Sequence, residues 1–349
     1  MRRLYFPLLL TILLAGFLIG GFNERRSRTE ISASLLPDLE GVTLREQANR
    51  ERTFQKRAMR RVLTLNSETG APVYGPLRVQ EIAGEEILLL DSGDLSIKRF
   101  SPEGKLLARY GAGKGQGPGE FTALTDFAAD GQGRVWAADS NNGRLTVFAP
   151  DGGVDQTVRL EQIPYRLSLT GDGGYFVTFM LTRDRIFGRF APPQRLAREF
   201  GTFLADQGYN AMLLDGWMAP DGRGGFAYVS FYAGLLAAFD AEGRPRFYTE
   251  LLDRPELPKV LKDSEGRRWV DQEAMVAATG LSVSPAGIHV VGVWREGMKV
   301  RGALDTYDLE DGSYRESLKL PETCESAVMT ARHLYTISES SVSKWRLDA

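Results

Sequence analysis

Histidine and cysteine, the side chains most used for nucleophilic and zinc chemistry, are scarce in this chain. There are two histidines, His289 in GIHVVGVW and His333 in ARHLYTIS, and one cysteine, Cys324. A hydrolase needs a nucleophile beside an oriented base; no G-x-S-x-G segment occurs, and His333 is the only histidine near Cys324 in sequence. Zinc catalysis ordinarily takes three protein ligands, often with more than one imidazole, so two histidines strain such a centre. One cysteine also leaves no intramolecular disulfide, four-cysteine metal site or iron–sulfur cluster. Calcium needs only oxygen ligands and stays compatible with the composition, although no D-x-[DN]-x-[DN]-G loop is present. No cofactor is expected.

The remaining candidates are binding residues. Asp139, Asn142 and Arg144 form a D-x-x-N-x-R cluster, and Asp91 recurs at the matching place upstream. They read either as a ligand triad or as ties to backbone groups, and the repetition favours ties. Strand alignment sets His289 and His333 near the position held by Arg134, as starts of equivalent strands, with a shared imidazole site as the functional alternative. Trp294, like Trp217 and Trp269, is a candidate binding aromatic. The glycines from Gly111 to Gly119, with Lys114 among them, invite a phosphate-loop reading. Neither G-x-x-x-x-G-K-[ST] nor G-x-G-x-x-G fits, and a strand rather than a helix follows.

These residues must be positioned by strands. From Leu124 to Leu160 the period-two alternation marks four short strands, Leu124 to Ala129, Arg134 to Asp139, Arg144 to Ala149 and Val154 to Leu160. The intervening DGQG, SNNG and DGG are turn formers. Four antiparallel strands joined by hairpins make one propeller blade. GxGxGPGEF, D-G-x-G-x-V, D-x-x-N-x-R and F-x-x-D-G, in that order, resemble an NHL repeat. Weaker copies place strand-ending aromatics at Phe100, Phe148, Phe190, Phe239, Tyr307 and Trp345, which predicts six blades. Only the interval from 239 to 307 is long, and residues 251–275 are expected to form a polar, partly helical insertion. Trp345 stands four residues from the end, too close for a fourth strand to follow. The segment starting at Arg60 is expected to close the ring by pairing with the last blade.

The N-terminus reads differently. Residues 1–3 form a short basic tip, and residues 4–22 are 19 consecutive residues without a charge. Such a run spans roughly 28 Å as a helix, enough to cross a bilayer. A retained signal-anchor is expected, because the apolar run is long and lacks an A-x-A cleavage pattern. Residues 23–59 then read as a polar stalk, partly helical from Leu44 onward, and 60–349 as the propeller. Residues 1–61 hold 12 Lys/Arg and 6 Asp/Glu, while 62–349 hold 31 and 39. An acidic body lacks the basic face that general nucleic-acid binding requires, so no nucleic-acid partner is expected.

The expected fold class is therefore all-β: a six-bladed propeller of four-stranded antiparallel blades, preceded by one transmembrane helix. The expected function is a non-catalytic binding or scaffold module on the extracytoplasmic, periplasmic side of the cell membrane. Its partners would be the membrane, through residues 4–22, and a protein, peptide or glycan. The NHL resemblance also implies an alternative, a metal-dependent propeller enzyme of lyase or lactonase type, whose channel histidines this sequence largely lacks.

Overall fold

The computed structural model describes residues 41–347 apart from 71, 181–184, 203–210, 266–267, 272–273 and 297–298. The expected tip, the transmembrane segment 4–22 and the stalk up to residue 40 lie outside the described residues. Among the described residues, no helix is long and apolar enough to cross a membrane.

Three strands precede the first complete blade: β1 (Leu44–Arg45), β2 (Phe54–Gln55) and β3 (Met59–Leu65). Blade 1 is β4 (Pro76–Glu81), β5 (Ile87–Asp91), β6 (Ser96–Phe100) and β7 (Leu106–Tyr110). Blade 2 is β8 (Leu124–Ala129), β9 (Val135–Asp139), β10 (Arg144–Phe148) and β11 (Val154–Arg159). Blade 3 is β12 (Pro164–Leu169), β13 (Tyr175–Phe179), β14 (Phe187–Ala191) and β15 (Arg195–Phe200). Blade 4 is β16 (Gly216–Pro220), β17 (Phe226–Ser230), β18 (Leu235–Phe239) and β19 (Pro245–Glu250). A hairpin of β20 (Val260–Lys262) and β21 (Arg268–Val270) follows. Blade 5 is β22 (Gly280–Ser284), β23 (Gly287–Glu296), β24 (Lys299–Tyr307) and β25 (Tyr314–Lys319). Blade 6 is β26 (Ser326–Met329), β27 (His333–Ser338) and β28 (Ser341–Leu347), completed by β3.

All six aromatic anchors fall on the third strand of their blades, so their spacing does count blades. Ring closure also follows the expected route: β3 runs antiparallel to β28, with Leu65 opposite Val342 and Met59 opposite Leu347. Apolar clusters fill the space between neighbouring blades. Blades 3 and 4, for example, bring Phe176 within 4.7 Å of Phe226, centroid to centroid, with Phe187, Phe200 and Phe239 around them. Aromatic pairs in this range add to the burial of their area.

Two expectations of helix are corrected. The described part of the stalk is extended: β1 adds to the outer edge of blade 4, parallel to β19, and β2 to that of blade 5, parallel to β25. Residues 44–61 are rich in helix formers but carry no apolar stripe at helical spacing, so pairing with exposed sheet edges outweighs propensity. The insertion 251–275 contains the β20–β21 hairpin and no helix among its described residues. Pro255 and Pro258 interrupt any helical ladder, and the β-branched and aromatic residues after them favour strands.

The repeated polar positions are ties between backbone segments. Asp139 Oδ1 accepts from the amides of Thr122 and Ala123, while Oδ2 accepts from Asn142 Nδ2 at 2.6 Å. Asp91 likewise accepts from Tyr74 N and Gly75 N, both at 2.9 Å. Ser96 stands where blade 2 has Arg144, and the lost cation is supplied two residues on, from the same face of the strand. Lys98 Nζ lies 2.6 Å from Asp91 Oδ2 and 2.8 Å from Asp94 Oδ2, and also bonds the Pro72 carbonyl. The Lys98 and Asp91 side chains are 1% and 0% exposed, so this is a buried pair.

The two histidines are not brought together. The partner of the aromatic anchor is Ile288 in blade 5 and Leu334 in blade 6, so the register offsets His289 from His333 by two positions. His333 alone matches Arg134. His289 sits inside blade 5 between the Ser284 and Thr306 hydroxyls, at 2.7 and 3.1 Å. His333 faces blade 1, with Nδ1 2.8 Å from Glu81 Oε2.

Two measurements check these ties. Lys98→Met leaves the Asp91 carboxylate buried without its cation and should cost about 3–5 kcal/mol in urea denaturation; a loss under about 1 kcal/mol would show that the backbone amides suffice. His289 is held down to about 3 by burial, with the charge of Arg57 adding to it. The unfolded chain therefore takes up a proton between pH 6.5 and 3 that the native state refuses. Stability should fall with pH in that window, by up to about 1.4 kcal/mol per unit from this group. His289→Gln should remove that share of the slope, read as the difference between the two pH profiles.

Candidate binding site at the channel mouth

The alternating strand directions put the connectors between blades, and the loops between second and third strands, on one face of the ring. At this face the inner strands present one residue each at equal height, three places on from the partner of the aromatic anchor: Arg78, Asp126, Arg166, Trp217, Gly280 and Ser326. In blades 1, 2 and 3 a bulge just before this position, after Pro76, Leu124 and Pro164, turns the residue inward. At Gly280 an added Cβ would lie 2.4 Å from Ser326 Oγ, so the ring admits no side chain there.

Charge ties the rest of the ring together. Arg78 Nη1 donates to Asp126 Oδ1 at 2.5 Å, and its Nη2 reaches across to the Met218 carbonyl of blade 4 at 2.8 Å. One guanidinium thus spans the channel from blade 1 to the opposite blade. Asp126 Oδ2 accepts from Leu167 N at 2.8 Å. Arg166 donates to the carbonyls of Gly216 and Thr125, both at 3.0 Å, while its guanidinium lies 4.3 Å from the Tyr165 ring and 4.2 Å from the Trp217 ring. Such stacking on two rings is worth more where water is excluded.

Asp215, immediately before β16, completes the cluster. Tyr165 Oη donates to its Oδ2 at 3.1 Å, and Arg166 Nη2 stands 3.6 Å from Oδ1. Solvent still reaches 32% of this side chain, yet Tyr165 and Arg166 stand against its carboxylate. That crowding pushes the carboxyl up, against the opposing charge of Arg166. Burial likewise raises the Tyr165 phenol, with Asp215 adding to it. Beside the cluster, Leu213, Phe231, Tyr232, Val270 and Val276 form a satellite core in which the inserted hairpin packs onto blade 4. The mouth is therefore asymmetric, with an aromatic and apolar wall on the blade 4 side.

The residues expected as binders lie elsewhere or serve other ends. Asp91, Asp139 and Asn142 bond backbone and neighbouring side chains. Arg144 donates to the carbonyls of Gln116, Gly117 and Glu120. The glycine-rich loop therefore turns carbonyls toward a charge, and its amides bond internally, as Ala112 N does to Gly119 O. That arrangement holds a connector in place and offers nothing to a phosphate. Trp294 lies on β23 opposite Arg301, and its side chain is outside the described residues. Burial pushes the Cys324 thiol up to about 12, with Glu322 and Glu325 adding to it, so it is no nucleophile near neutral pH. Among the described residues, no three His, Cys, Asp or Glu converge as a metal site.

Sequence reading missed Arg78, Asp126, Arg166 and Asp215. A signal was present: Pro76-Leu77-Arg78 and Pro164-Tyr165-Arg166 repeat P-x-R at the start of two inner strands.

No family model matches the chain. NHL repeat-containing protein 3 of Mus musculus is 35% identical over 83 residues, which are 23% of this chain and 24% of that protein. NHL repeat-containing protein 3 of Homo sapiens is 28% identical over 164 residues, 42% of this chain and 46% of that protein. The chain thus matches less than half the length of either relative. Among solved structures, a putative exported protein from Bacteroides fragilis superposes with a TM-score of 0.58 at 10% identity, covering 87% of this chain and 99% of that one. Virginiamycin B lyase from Staphylococcus aureus gives 0.50 at 10% identity, over 84% and 100%. Likenesses at such identities speak to fold alone. Blade register and superpositions agree on the fold, and the chain is a six-bladed β-propeller with sequence similarity to NHL repeat-containing proteins.

Proposed function

We propose that this protein is a non-catalytic binding or scaffold propeller, held by residues 4–22 at the cell membrane with its ring on the extracytoplasmic, periplasmic side. Its partner is a protein, peptide or glycan that engages the channel-mouth face. The observation that carries this reading is the ion-paired mouth. Arg78 bridges the channel from blade 1 to blade 4, and Arg166 stands beside it between two aromatic rings. Among the six residues of that ring Asp126 is the one carboxylate, and Arg78 and the Leu167 amide already occupy its oxygens, which weighs against the lyase or lactonase alternative. The same groups, with the partly buried Tyr165 and Trp217 and the apolar wall, supply the arginine and aromatic anchors on which interfaces depend.

Two measurements on the full-length protein, purified from membranes in detergent, test the reading. Metal analysis should find no stoichiometric divalent ion; one ion per chain would overturn the proposal in favour of an enzyme. Cross-linking in intact membranes should capture a defined envelope partner, and Tyr165→Ala with Trp217→Ala should lower its recovery about tenfold or more. An unchanged partner, with the variant still folded by thermal melting, would move the site off the mouth.

A further inference from the structure

The seam between blades 4 and 5 is built like a peptide-binding groove, and residues 44–55 of the chain fill it. Leu44 and Arg45 pair in parallel with Tyr248 and Thr249; Phe54 and Gln55 pair in parallel with Ser317 and Leu318. Between these two short ladders, two side chains enter the seam. Gln47 Nε2 donates to Thr249 Oγ1 at 2.5 Å and to the carbonyls of Glu250 and Gly312 at 3.3 and 3.0 Å. Its Oε1 accepts from Tyr314 N at 2.9 Å. Arg52 Nε donates to Asp305 Oδ1 at 2.9 Å and Nη2 to Asp305 Oδ2 at 2.8 Å, a bidentate pair, and Nη1 reaches Asp253 Oδ1 at 3.3 Å. Thr53 adds main-chain bonds, its N donating to Tyr314 Oη at 2.8 Å and its O accepting from Ser317 N at 2.9 Å. Gly292 makes room for the guanidinium, since a Cβ there would stand 2.7 Å from Arg52 Nη2. Main-chain pairing with side-chain keys in pockets is how sheet edges recognise extended peptides.

Charge decides what can occupy this groove. Its walls carry Glu250, Asp253 and Asp305 against Arg254, and the inserted segment supplies Arg50, 3.9 Å from Glu250, and Arg52. An empty groove would leave the buried Asp305 carboxylate without the Arg52 cation, which is costly. An identical segment would restore every bond. The ladders holding the segment are two residues each, and only Lys56, Arg57 and Ala58 join it to β3. A segment held by short ladders and joined by a short hinge can be exchanged for the identical segment of another copy with every bond restored, a low-cost route to dimers.

We propose that this groove recognises an extended segment with Gln and Arg five residues apart, and that it exchanges its own segment for that of a second copy of this chain. Exchange is then set by the concentration of copies against the effective concentration of the tethered segment, commonly millimolar for a short link. The proposal does not depend on the channel mouth.

Cross-linking two tagged full-length versions together tests it. Both carry Cys324→Ser; one also carries Arg45→Cys and the other Asp311→Cys. These exposed side chains stand 2.8 Å apart at the edge of the groove, so a short bis-maleimide joins the two versions only when the segment of one lies in the groove of the other. A single chain carrying both cysteines is the control for reactivity. The expected result is a cross-copy product whose yield falls about tenfold when a synthetic peptide of residues 42–57 competes, and stays unchanged with the same peptide bearing Arg52→Ala. A control that reacts beside a mixture that does not would overturn the proposal. So would a product that both peptides suppress equally, because arginine recognition would then play no part.

Discussion

Met59–Leu65 and Ser341–Leu347 come from opposite ends of the described chain and lie side by side in one sheet, and every other feature of the ring depends on that pairing. A propeller blade buries its faces only against two neighbours, so a ring left open would expose an unfinished blade and an unpaired edge. Closure by β3 removes that edge and brings blade 6 against blade 1. There His333 and Lys344 meet Glu81 and Glu85 across the seam, at 2.8 Å for His333 to Glu81 and 3.4 Å for Lys344 to Glu85. It also dictates the path of residues 44–55. A chain that must arrive at the rim of blade 6 first crosses the rims of blades 4 and 5, where bare outer strands are ready to pair with it.

A second regularity follows from packing six sheets around a narrow axis. Four aspartates, on an inner strand, at strand ends or within β24, are drawn into dry surroundings and paired with cations: Asp91 has Lys98, Asp126 has Arg78, Asp139 has Arg144, and Asp305 has Arg52. Such pairs need not stabilise the fold relative to apolar packing. They do fix which segment lies where, because a carboxylate left without its partner is far costlier than a misplaced leucine. In blade 2 the cation holds a connector, in blades 4 and 5 it holds the N-terminal segment, and at the mouth it spans the channel. One physical device thus serves closure, connection and the binding face.

Much was legible in the sequence because it is encoded locally. Strand alternation, turn residues such as Asp130-Gly131-Gln132-Gly133, and one aromatic per blade from Phe100 to Trp345 report on neighbours a few residues away, so blade number, strand order and the closing strand could be read directly. The D-x-x-N-x-R cluster was recognisable as a backbone tie because repetition implied packing. What the tertiary structure alone decided involves partners far apart in the chain. Lys98 replaces the missing arginine because two residues along a strand share a face, and Arg166 meets Asp215 because adjacent inner strands converge. Residues 44–55 abandon helix because sheet edges two hundred residues away offer them hydrogen bonds and Asp253 and Asp305 offer Arg52 its charge partners. Propensity describes a segment in water; here the deciding interactions appear only after the blades they join have folded.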